Sequence, residues 1–392
     1  MKRRHFLAAG AASVPFLANS PAWAKEAPTA PVSIVKCPTY REELLPAMEK
    51  LFDQMGGLGR IVKNKTVTIK LNLTGSPGLR FQGKALGVTH YTHPSTIEVM
   101  AHLLDRAGAR RIRLVESAWG TAGPLEEYML DSGWNVRRLK AAAKNVEFEN
   151  TNALGLGKKY HRFAVSGKPY IFPAYELNHS YYDTDVFVSM AKLKNHATCG
   201  VTLTMKNIFG ITPASIYGDN AGVDEPNESP TSGRGKVCHE GSRAPSKIAL
   251  PEVDLNSPRD AHYRMPRITA ELNAARPIDI GFIDGIETVS GGEGPWIRGL
   301  KLESPGILIA AAQDNHLSTI GVSVGAGGAD GLSVIPDVID RSIGDVLPPH
   351  GPRHRQLGTQ RKANGGGRQP KAHINPSCVI VTLLTRHVGL SQ

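Results

Sequence analysis

The stretch HPSTIEVMAHLLDRAGARRIRLVES, His93–Ser117, predicts a helix that runs into a buried strand. Pro94 suits the first helical turn and Gly108 ends the helical pattern. Apolar residues recur between them at helical spacing and form one stripe: Ile97, Met100, Ala101, Leu104. The β-rich run TVTIKLNL, Thr66–Leu73, precedes this stretch. Together these segments predict a strand–helix–strand unit with parallel strands and a right-handed crossover.

Further apolar runs rich in Val and Ile predict more buried strands of the same parallel sheet. These runs are Asp185–Leu193, Ile278–Gly285 and Gly306–Asp314. A second helix is predicted over Ile268–Ala275. We therefore expect an α/β fold, with a mostly parallel sheet flanked by helices in Rossmann-like layers.

Composition divides the chain into three parts. Residues 1–24 predict an export signal, residues 25–340 an α/β domain, and residues 341–392 a basic, Pro/Gly-rich tail that is poorly ordered. The polar stretch Asp219–Lys247 interrupts the domain. A loop of that length is typical of a lid, a binding loop or a disordered insertion.

The first residues, MKRRHFLAAGAASVPFLANSPAWA, combine a basic start, a short apolar run and a small-x-small cleavage site at Ala22–Ala24. Arg3 and Arg4, followed by His5-Phe6-Leu7, are typical of a twin-arginine signal. The alternative is a general secretory signal that contains two arginines. The chain is thus predicted to be periplasmic or otherwise exported, with the twin-arginine machinery as a partner.

Charge, hydropathy and cysteine spacing argue against a nucleic-acid-binding protein, a membrane-spanning protein and an iron–sulfur protein. The net charge of +11 over 392 residues has much of its basic excess in the leader and in residues 341–392, and no basic stripe interleaved with aromatics marks a nucleic-acid surface. No segment after the leader is apolar enough for a membrane span. The four cysteines, Cys37, Cys199, Cys238 and Cys378, have no C-x-x-C spacing, so no iron–sulfur cluster is expected from them.

Polar side chains follow the predicted strands. Because the carboxyl ends of parallel strands meet at one sheet edge, where ligands of open α/β sheets bind, we expect these groups to converge. In chain order they are Lys70 and Asn72; Glu116 and Ser117; Lys192, Lys194, Asn195 and His196; Asp284 and Glu293; and Gln313–His316.

The stretch KLKNHATCGVTLTMKNIFG, Lys192–Gly210, has no carboxylate, and none occurs from Val186 to Gly218. A helix that begins near Asn195 or Thr198 would offer free N–H groups beside Lys192 and Lys194, which favours an anion. The alternation of Val201, Leu203 and Met205 also suits a strand, and a solvated lysine loop is the other reading.

Candidate groups for acid–base chemistry are Asp284, Glu293 and Glu116, with His196 as an alternative proton carrier. Paired carboxylates can also hold a hard divalent cation. The candidate metal ligands are His93, Glu116 and Asp284. His93 before Pro94 equally suits a helix cap, and Asp284 before Gly285 equally suits a turn.

These blocks, together with IGFIDGIETVSGGEGP (Ile280–Pro295), resemble the family called domain of unknown function 362, in the correct order from about Lys65 to Ala312. The family name assigns no activity. Some relatives carry ferredoxin-type iron–sulfur modules, whose cysteines this chain lacks. The residues that match the family's blocks are Lys70, Asn72, His93, Glu116, Lys192, Lys194, His196, Lys206, Asn207, Asp284 and Glu293.

The residues favour an exported enzyme that acts on an anionic small molecule, with Lys192, Lys194 and Lys70 holding the anion and Asn72, Lys206 and Asn207 completing the site. The cofactor is left open, and a divalent cation is one option. The alternatives are a non-catalytic anion or cofactor carrier, and an accessory protein of an exported redox system with a redox partner protein.

Overall fold

A computed structural model describes residues 32–312 together with the short strand segments 322–323 and 382–383. The predicted leader, Gln313–His316, Cys378 and the basic tail other than residues 382–383 lie outside the described residues. The helices are α1 Leu44–Asp53, α2 Gly59–Val62, α3 Pro94–Arg106, α4 Leu125–Asp131, α5 Val136–Lys140, α6 Thr204–Asn207, α7 Ala214–Tyr217 and α8 Ala261–Ala275. The strands are β1 Val32–Lys36, β2 Thr66–Lys70, β3 Arg111–Glu116, β4 Val146–Asn150, β5 His161–Ala164, β6 Ala174–Leu177, β7 Val186–Lys192, β8 Asn195–His196, β9 Gly200–Val201, β10 Ile280–Gly285, β11 Thr288–Ser290, β12 Lys301–Glu303, β13 Ile307–Ala312, β14 Val322–Ser323 and β15 Thr382–Leu383.

Seven strands form the central sheet in the order β1-β13-β10-β7-β2-β3-β4. The five strands from β10 to β4 pair in parallel, and helices cover both faces. The expected α/β fold with a mostly parallel sheet is confirmed. Four smaller two-stranded sheets lie outside it among the described residues: β5–β6, β8–β9, β11–β12 and β14–β15.

The strand–helix–strand unit forms as its sequence predicts. The His93 side chain caps α3, because its Nδ1 accepts a hydrogen bond from the Ser95 backbone N–H at 3.1 Å. The apolar stripe of α3 is buried against the sheet, and Gly108 follows the helix with a φ of +87°. Only glycine adopts such a φ at little cost, so this residue ends the helix and turns the chain into β3.

The fifth predicted strand, Gly306–Asp314, was expected to be parallel to the others, and this prediction is wrong. Its ordered part, β13, pairs antiparallel with both β10 and β1. A parallel return needs a long crossover, usually a helix, whereas β10 and β13 are joined by the small β11–β12 hairpin. The carboxyl end of β13 therefore lies at the opposite edge from the other strand ends, which removes the reason for placing Gln313–His316 at the site.

The chain order reverses between β2 and β7. From β2 the chain adds β3 and β4 on one side, and it then returns to place β7 and β10 on the other. Such a reversal is a topological switch point, where the loops after two adjacent strands diverge and leave a crevice. The fold thus creates a crevice between the segments that follow Lys70 and Lys192.

Helix α8 is longer than the predicted Ile268–Ala275 and begins at Ala261, where the Asp260 side chain accepts a hydrogen bond from the His262 N–H. The polar stretch Asp219–Lys247 is described throughout and contains one π-helical turn, Gly235–Glu240. Cys37, Cys199 and Cys238 are free thiols. Among the described residues, no helix combines the length and the apolar character needed to cross a bilayer.

Candidate functional site

A cavity of about 550 Å³ lies at the carboxyl edge of β2 and β3, beside the chain that follows β7. The segments after β2 and β3 form one side, and the chain from His196 to Gly210 forms another. The polar stretch contributes residues from Asp219 to His239, and the loop after β11 contributes Glu293 and Trp296. The position agrees with the expected ligand site of an open α/β sheet.

The chain after β7 differs from the predicted helix. Asn195 and His196 pair with Val201 and Gly200 in a short antiparallel hairpin. The helical residues described between Lys192 and Gly210 belong to the four-residue α6 and to the 3-10 turn Ile208–Ile211. The backbone excludes a continuous helix, because Gly200 has a φ of +75° and Leu203 a φ of +129°. The expected anion site at a helix start near Asn195 or Thr198 is therefore wrong.

Lys70 and Glu116 form a buried ion pair on the cavity wall. The Lys70 Nζ lies 2.5 Å from the Glu116 Oε1, and it also donates to the Leu71 carbonyl at 2.6 Å. The other carboxylate oxygen, Glu116 Oε2, accepts the Leu73 N–H at 2.8 Å. Burial lowers the pKa of Lys70 and raises that of Glu116, so the free energies of the charged and neutral forms of the pair move closer together.

Gly210 lets the chain pass directly over this pair. A Cβ at position 210 would lie 2.9 Å from the Lys70 Nζ and 3.1 Å from the Glu116 Oε1. Gly210 is the last residue of the stretch Lys192–Gly210. Its role in the structure is to let the backbone approach the two charged groups closely.

Asn207 ties the two strands of the switch point together. Its Nδ2 donates to the Ser189 Oγ at 3.0 Å and to the Met190 carbonyl at 3.3 Å, and its Oδ1 accepts from the Asn72 Nδ2 at 3.1 Å. Asn72 also donates to the Thr74 Oγ1 at 3.1 Å. With the amide nitrogen committed in this way, the buried Asn72 Oδ1 is left without a hydrogen-bond partner in the described structure.

Two cations on the cavity wall have no ion pair within the described residues. Lys206 is half-buried, and its ammonium group lies 4.6 Å from the centre of the Phe209 ring. Arg234 is buried and donates only to uncharged oxygens: the Thr212 and Ser117 carbonyls and the Asn152 Oδ1. Burial lowers the pKa of both side chains. An anion in the cavity would favour their charged forms.

His196 and Glu293 also line the cavity. The His196 Nδ1 accepts the Thr198 N–H at 3.2 Å, which leaves Nε2 to carry the proton of a neutral ring. Burial, together with the charges of Lys206 and Lys194, lowers the pKa of His196 far below its ordinary value, so its ring is neutral at pH 7. Glu293 accepts hydrogen bonds from the Ala197 N–H at 3.0 Å and the Trp296 indole at 3.2 Å.

Lys192 and Asp284 form a second ion pair, sealed in the interior. Both side chains are 0% exposed, and the Lys192 Nζ lies 3.1 Å from the Asp284 Oδ2. Tyr40 bridges the pair, because its hydroxyl accepts from Lys192 at 2.9 Å and donates to the Asp284 Oδ1 at 2.8 Å. The His93 N–H donates to Asp284 at 3.0 Å. The stretch Val186–Gly218 offers Lys192 no carboxylate, and its partner comes instead from β10.

Lys194 is also buried, and its ammonium group donates to the His90 carbonyl at 2.6 Å. Neither Lys192, Lys194 nor Asp284 lies on the cavity wall. The structure thus divides the predicted site. Lys70, Asn72, Glu116, His196, Lys206, Asn207 and Glu293 line one cavity, whereas Lys192, Lys194, His93 and Asp284 lie outside its wall.

The suggested metal ligands do not form one cluster. Glu116 pairs with Lys70, while Asp284 pairs with Lys192 and contacts His93 through the backbone N–H of that residue. His93 uses its ring to cap α3 and to stack on Tyr40 at 3.6 Å. Within the described part of the chain, no group of three or more His, Cys, Asp or Glu side chains is placed to hold a metal ion.

Several lining residues were not among the candidates. Trp119 lies two residues after the Glu116-Ser117 strand end, so the same strand-end rule could have included it. Arg234 and His239 lie inside the polar stretch that the sequence marked only as a possible binding loop. Nothing local distinguishes Arg234 from other loop arginines, since its burial depends on contacts with Ser117 and Asn152.

The architecture and the cavity define an α/β protein with a ligand-sized pocket at a topological switch point. Residues 67–316 match the family described as domain of unknown function (DUF362), and the chain belongs to this family. It is also 27% identical, over 187 residues, to a thylakoid-associated protein of Synechocystis sp.. That similarity covers 47% of this chain and 51% of the relative, so the chain spans about half the length of the curated relative it matches.

Proposed function

We propose that this chain is an exported enzyme that binds a carboxylate- or phosphate-bearing small molecule in the cavity and transfers a proton through the Lys70–Glu116 pair. One observation carries the proposal: Lys206 and Arg234 line the cavity without a carboxylate partner among the described residues. We assign to these two side chains the anion-binding role that was predicted for Lys192 and Lys194.

An anion at this position would offset the burial of both cations. A buried charge without a counter-charge is costly, and a bound carboxylate or phosphate supplies that counter-charge. Each charge-assisted hydrogen bond contributes about 1.5–3 kcal/mol. The Nε2–H of neutral His196 supplies an uncharged donor on the same wall. The two cations and this donor support selection of an anionic group over a neutral one.

The Lys70–Glu116 pair supports the catalytic half of the proposal. The two pKa values are shifted toward each other, so moving a proton between the pair and a bound substrate requires less free energy than it would for the same groups in water. Both groups line the cavity, within reach of a bound molecule. Either Glu116 accepts a substrate proton or Lys70 donates one, and the direction depends on the substrate.

Isothermal titration calorimetry with ribose 5-phosphate and succinate tests the binding half. We expect Lys206→Met and Arg234→Met each to weaken binding of the preferred probe by about tenfold to a hundredfold, equivalent to about 1.4–2.7 kcal/mol. Lys168→Met is the matched control, because Lys168 is exposed and does not line the cavity. Unchanged affinity in both cavity variants would reject the anion site.

Glu116→Gln separates an enzyme from a carrier. If the chain is an enzyme in which Glu116 accepts the substrate proton, this variant keeps ligand affinity within a few-fold but loses turnover, because the amide cannot take up the proton. A ligand that binds to the wild-type chain without being converted would favour the non-catalytic carrier. A protein partner that co-purifies with the wild-type chain would favour the accessory role in a redox system.

A further inference from the structure

Two tryptophans stand partly exposed on the wall of the cavity. Trp119 is 49% exposed and Trp296 is 42% exposed. Tryptophan is usually well buried, so two partly open indoles on one cavity need an explanation. The remaining described tryptophan, Trp134, is 7% exposed and lies in the core.

Trp296 is held in a fixed position. Its indole N–H donates to Glu293 at 3.2 Å, and its ring meets the His90 ring edge-on at 5.9 Å. The ring also rests on two glycines, since a Cβ at Gly75 or Gly294 would come within 2.5 Å or 2.3 Å of ring carbons. A ring fixed on these sides with an exposed remainder is a preorganised stacking surface.

Trp119 is placed in a similar way by the polar stretch. A Cβ at Gly233 would lie 3.1 Å from the Trp119 Nε1, so the glycine lets the loop approach the indole. Gly233 immediately precedes Arg234, one of the two unpaired cations. The polar stretch therefore packs beside Trp119 and places Arg234 on the wall of the same cavity.

Asn72 indicates a hydrogen-bond donor on the ligand. Its Oδ1 is buried without a partner in the described structure, while its amide nitrogen is committed to Thr74 and Asn207. A buried acceptor without a donor is uncommon, because it has lost its hydrogen bond to water without a replacement. A ligand N–H or O–H at this point would satisfy it.

We propose that the ligand is an anion with a planar aromatic ring that carries an N–H or O–H donor. This inference rests on the proposed function and deepens it: the anionic group lies at Lys206 and Arg234, the ring packs on Trp119 and Trp296, and the ring donor reaches the Asn72 Oδ1. The volume of about 550 Å³ is far more than a phosphate or short carboxylate needs, and it suits a mononucleotide-sized molecule.

The test compares probes that differ in one property. The ring anions are flavin mononucleotide, adenosine monophosphate and indole-3-acetate; the anions without an aromatic ring are ribose 5-phosphate and acetate; the neutral rings are riboflavin and adenosine. We expect at least one ring anion to bind at least tenfold more tightly than either the ring-free anions or the neutral rings. For that probe, Trp119→Leu and Trp296→Leu each weaken binding about tenfold while ribose 5-phosphate affinity stays unchanged.

Tyr170→Leu is the matched control, because Tyr170 is 50% exposed and does not line the cavity. Thermal melts establish that the leucine variants are folded, and binding of ribose 5-phosphate confirms this where the melting temperature falls. If ring and ring-free anions bind equally and both depend on Lys206, the ring inference is overturned and the proposed function stands. If no probe of either kind binds, or Lys206→Met and Arg234→Met change nothing, both proposals fail.

Discussion

Replacement of Asp284 by asparagine tests the sealed ion pair. Asparagine keeps the shape of the side chain but removes the charge, and this leaves the ammonium group of Lys192 buried without a counter-charge, with only uncharged oxygens such as those of Tyr40 and Gly87 as partners. Breaking a buried pair from one side costs about 3–5 kcal/mol. Loss of the Lys192 proton limits that cost. Holding an amine neutral at pH 7, when its pKa in the unfolded chain is near 10.5, costs about 4.8 kcal/mol at 1.36 kcal/mol per pH unit.

We therefore expect Asp284→Asn to lower the unfolding free energy by about 3–5 kcal/mol at pH 7, which corresponds to roughly 6–20 °C in melting temperature. Urea denaturation followed by circular dichroism measures this loss. Asp224→Asn is the control: Asp224 pairs with Lys247 at 2.6 Å, but both side chains are more than two-thirds exposed. Exposed pairs contribute about 0–1 kcal/mol.

The loss should also depend on pH. In the variant, the folded-state pKa of Lys192 is depressed further by the loss of its counter-charge, so between pH 7 and pH 10 the unfolded chain binds more protons than the folded one. Stability then rises with pH, and the gap to the wild-type chain narrows. The double variant Lys192→Met/Asp284→Asn removes both charges and should recover part of the lost stability. Wild-type stability in the single variant, or a double variant less stable than Asp284→Asn, would refute the reasoning.

Two further predictions concern the cavity and the leader. Gly210→Ala places a methyl group 2.9 Å from the Lys70 Nζ, so it should lower turnover and reduce stability by about 1–3 kcal/mol. Gly59→Ala is the control and should lower neither, because a Cβ there meets only the Ala107 carbonyl at 3.8 Å. Enzyme assays and thermal melts compare the two variants. Replacing Arg3 and Arg4 by lysine should keep an uncut precursor inside the cell, as immunoblots of cell fractions would show, whereas mature protein outside the cytoplasm would indicate general secretion.

The sequence predicted the elements whose signals are local. The crossover helix α3 was readable because the capping residue, Pro94, the apolar stripe and Gly108 all lie within one short segment. The central parallel strands β2, β3, β7 and β10 were readable because burial on both faces makes them continuous apolar runs. The edge strands β1 and β4 were missed because neither is a continuous buried apolar run: β1, VSIVK, alternates between partly exposed and buried residues, and β4, VEFEN, contains two glutamates and an asparagine.

The ion-pair partners of the charged residues could not be predicted from the neighbouring sequence. Lys192 lies in a stretch without carboxylates, yet in the β7–β10 register it stands directly beside Asp284, which is 92 residues further along the chain. Counting charges along the sequence therefore failed to identify the ion-pair partner of Lys192. The same strand-end rule did identify Lys70, Asn72 and Glu116, because their shared edge follows from parallel pairing alone.

The two lysine–carboxylate pairs at this sheet edge have the same arrangement, but only one of them is open to a ligand. In each pair a lysine near the end of one strand meets an acid near the end of its neighbour, and both pairs are almost fully buried. Tyr40 and the Gly87 carbonyl cover Lys192 on its open side, so that pair has no access to a ligand. Gly210 is the residue that passes over Lys70 and Glu116, and both groups line the cavity. Neutralising the acid of either pair should therefore cost stability, and only in the second pair should it also cost turnover.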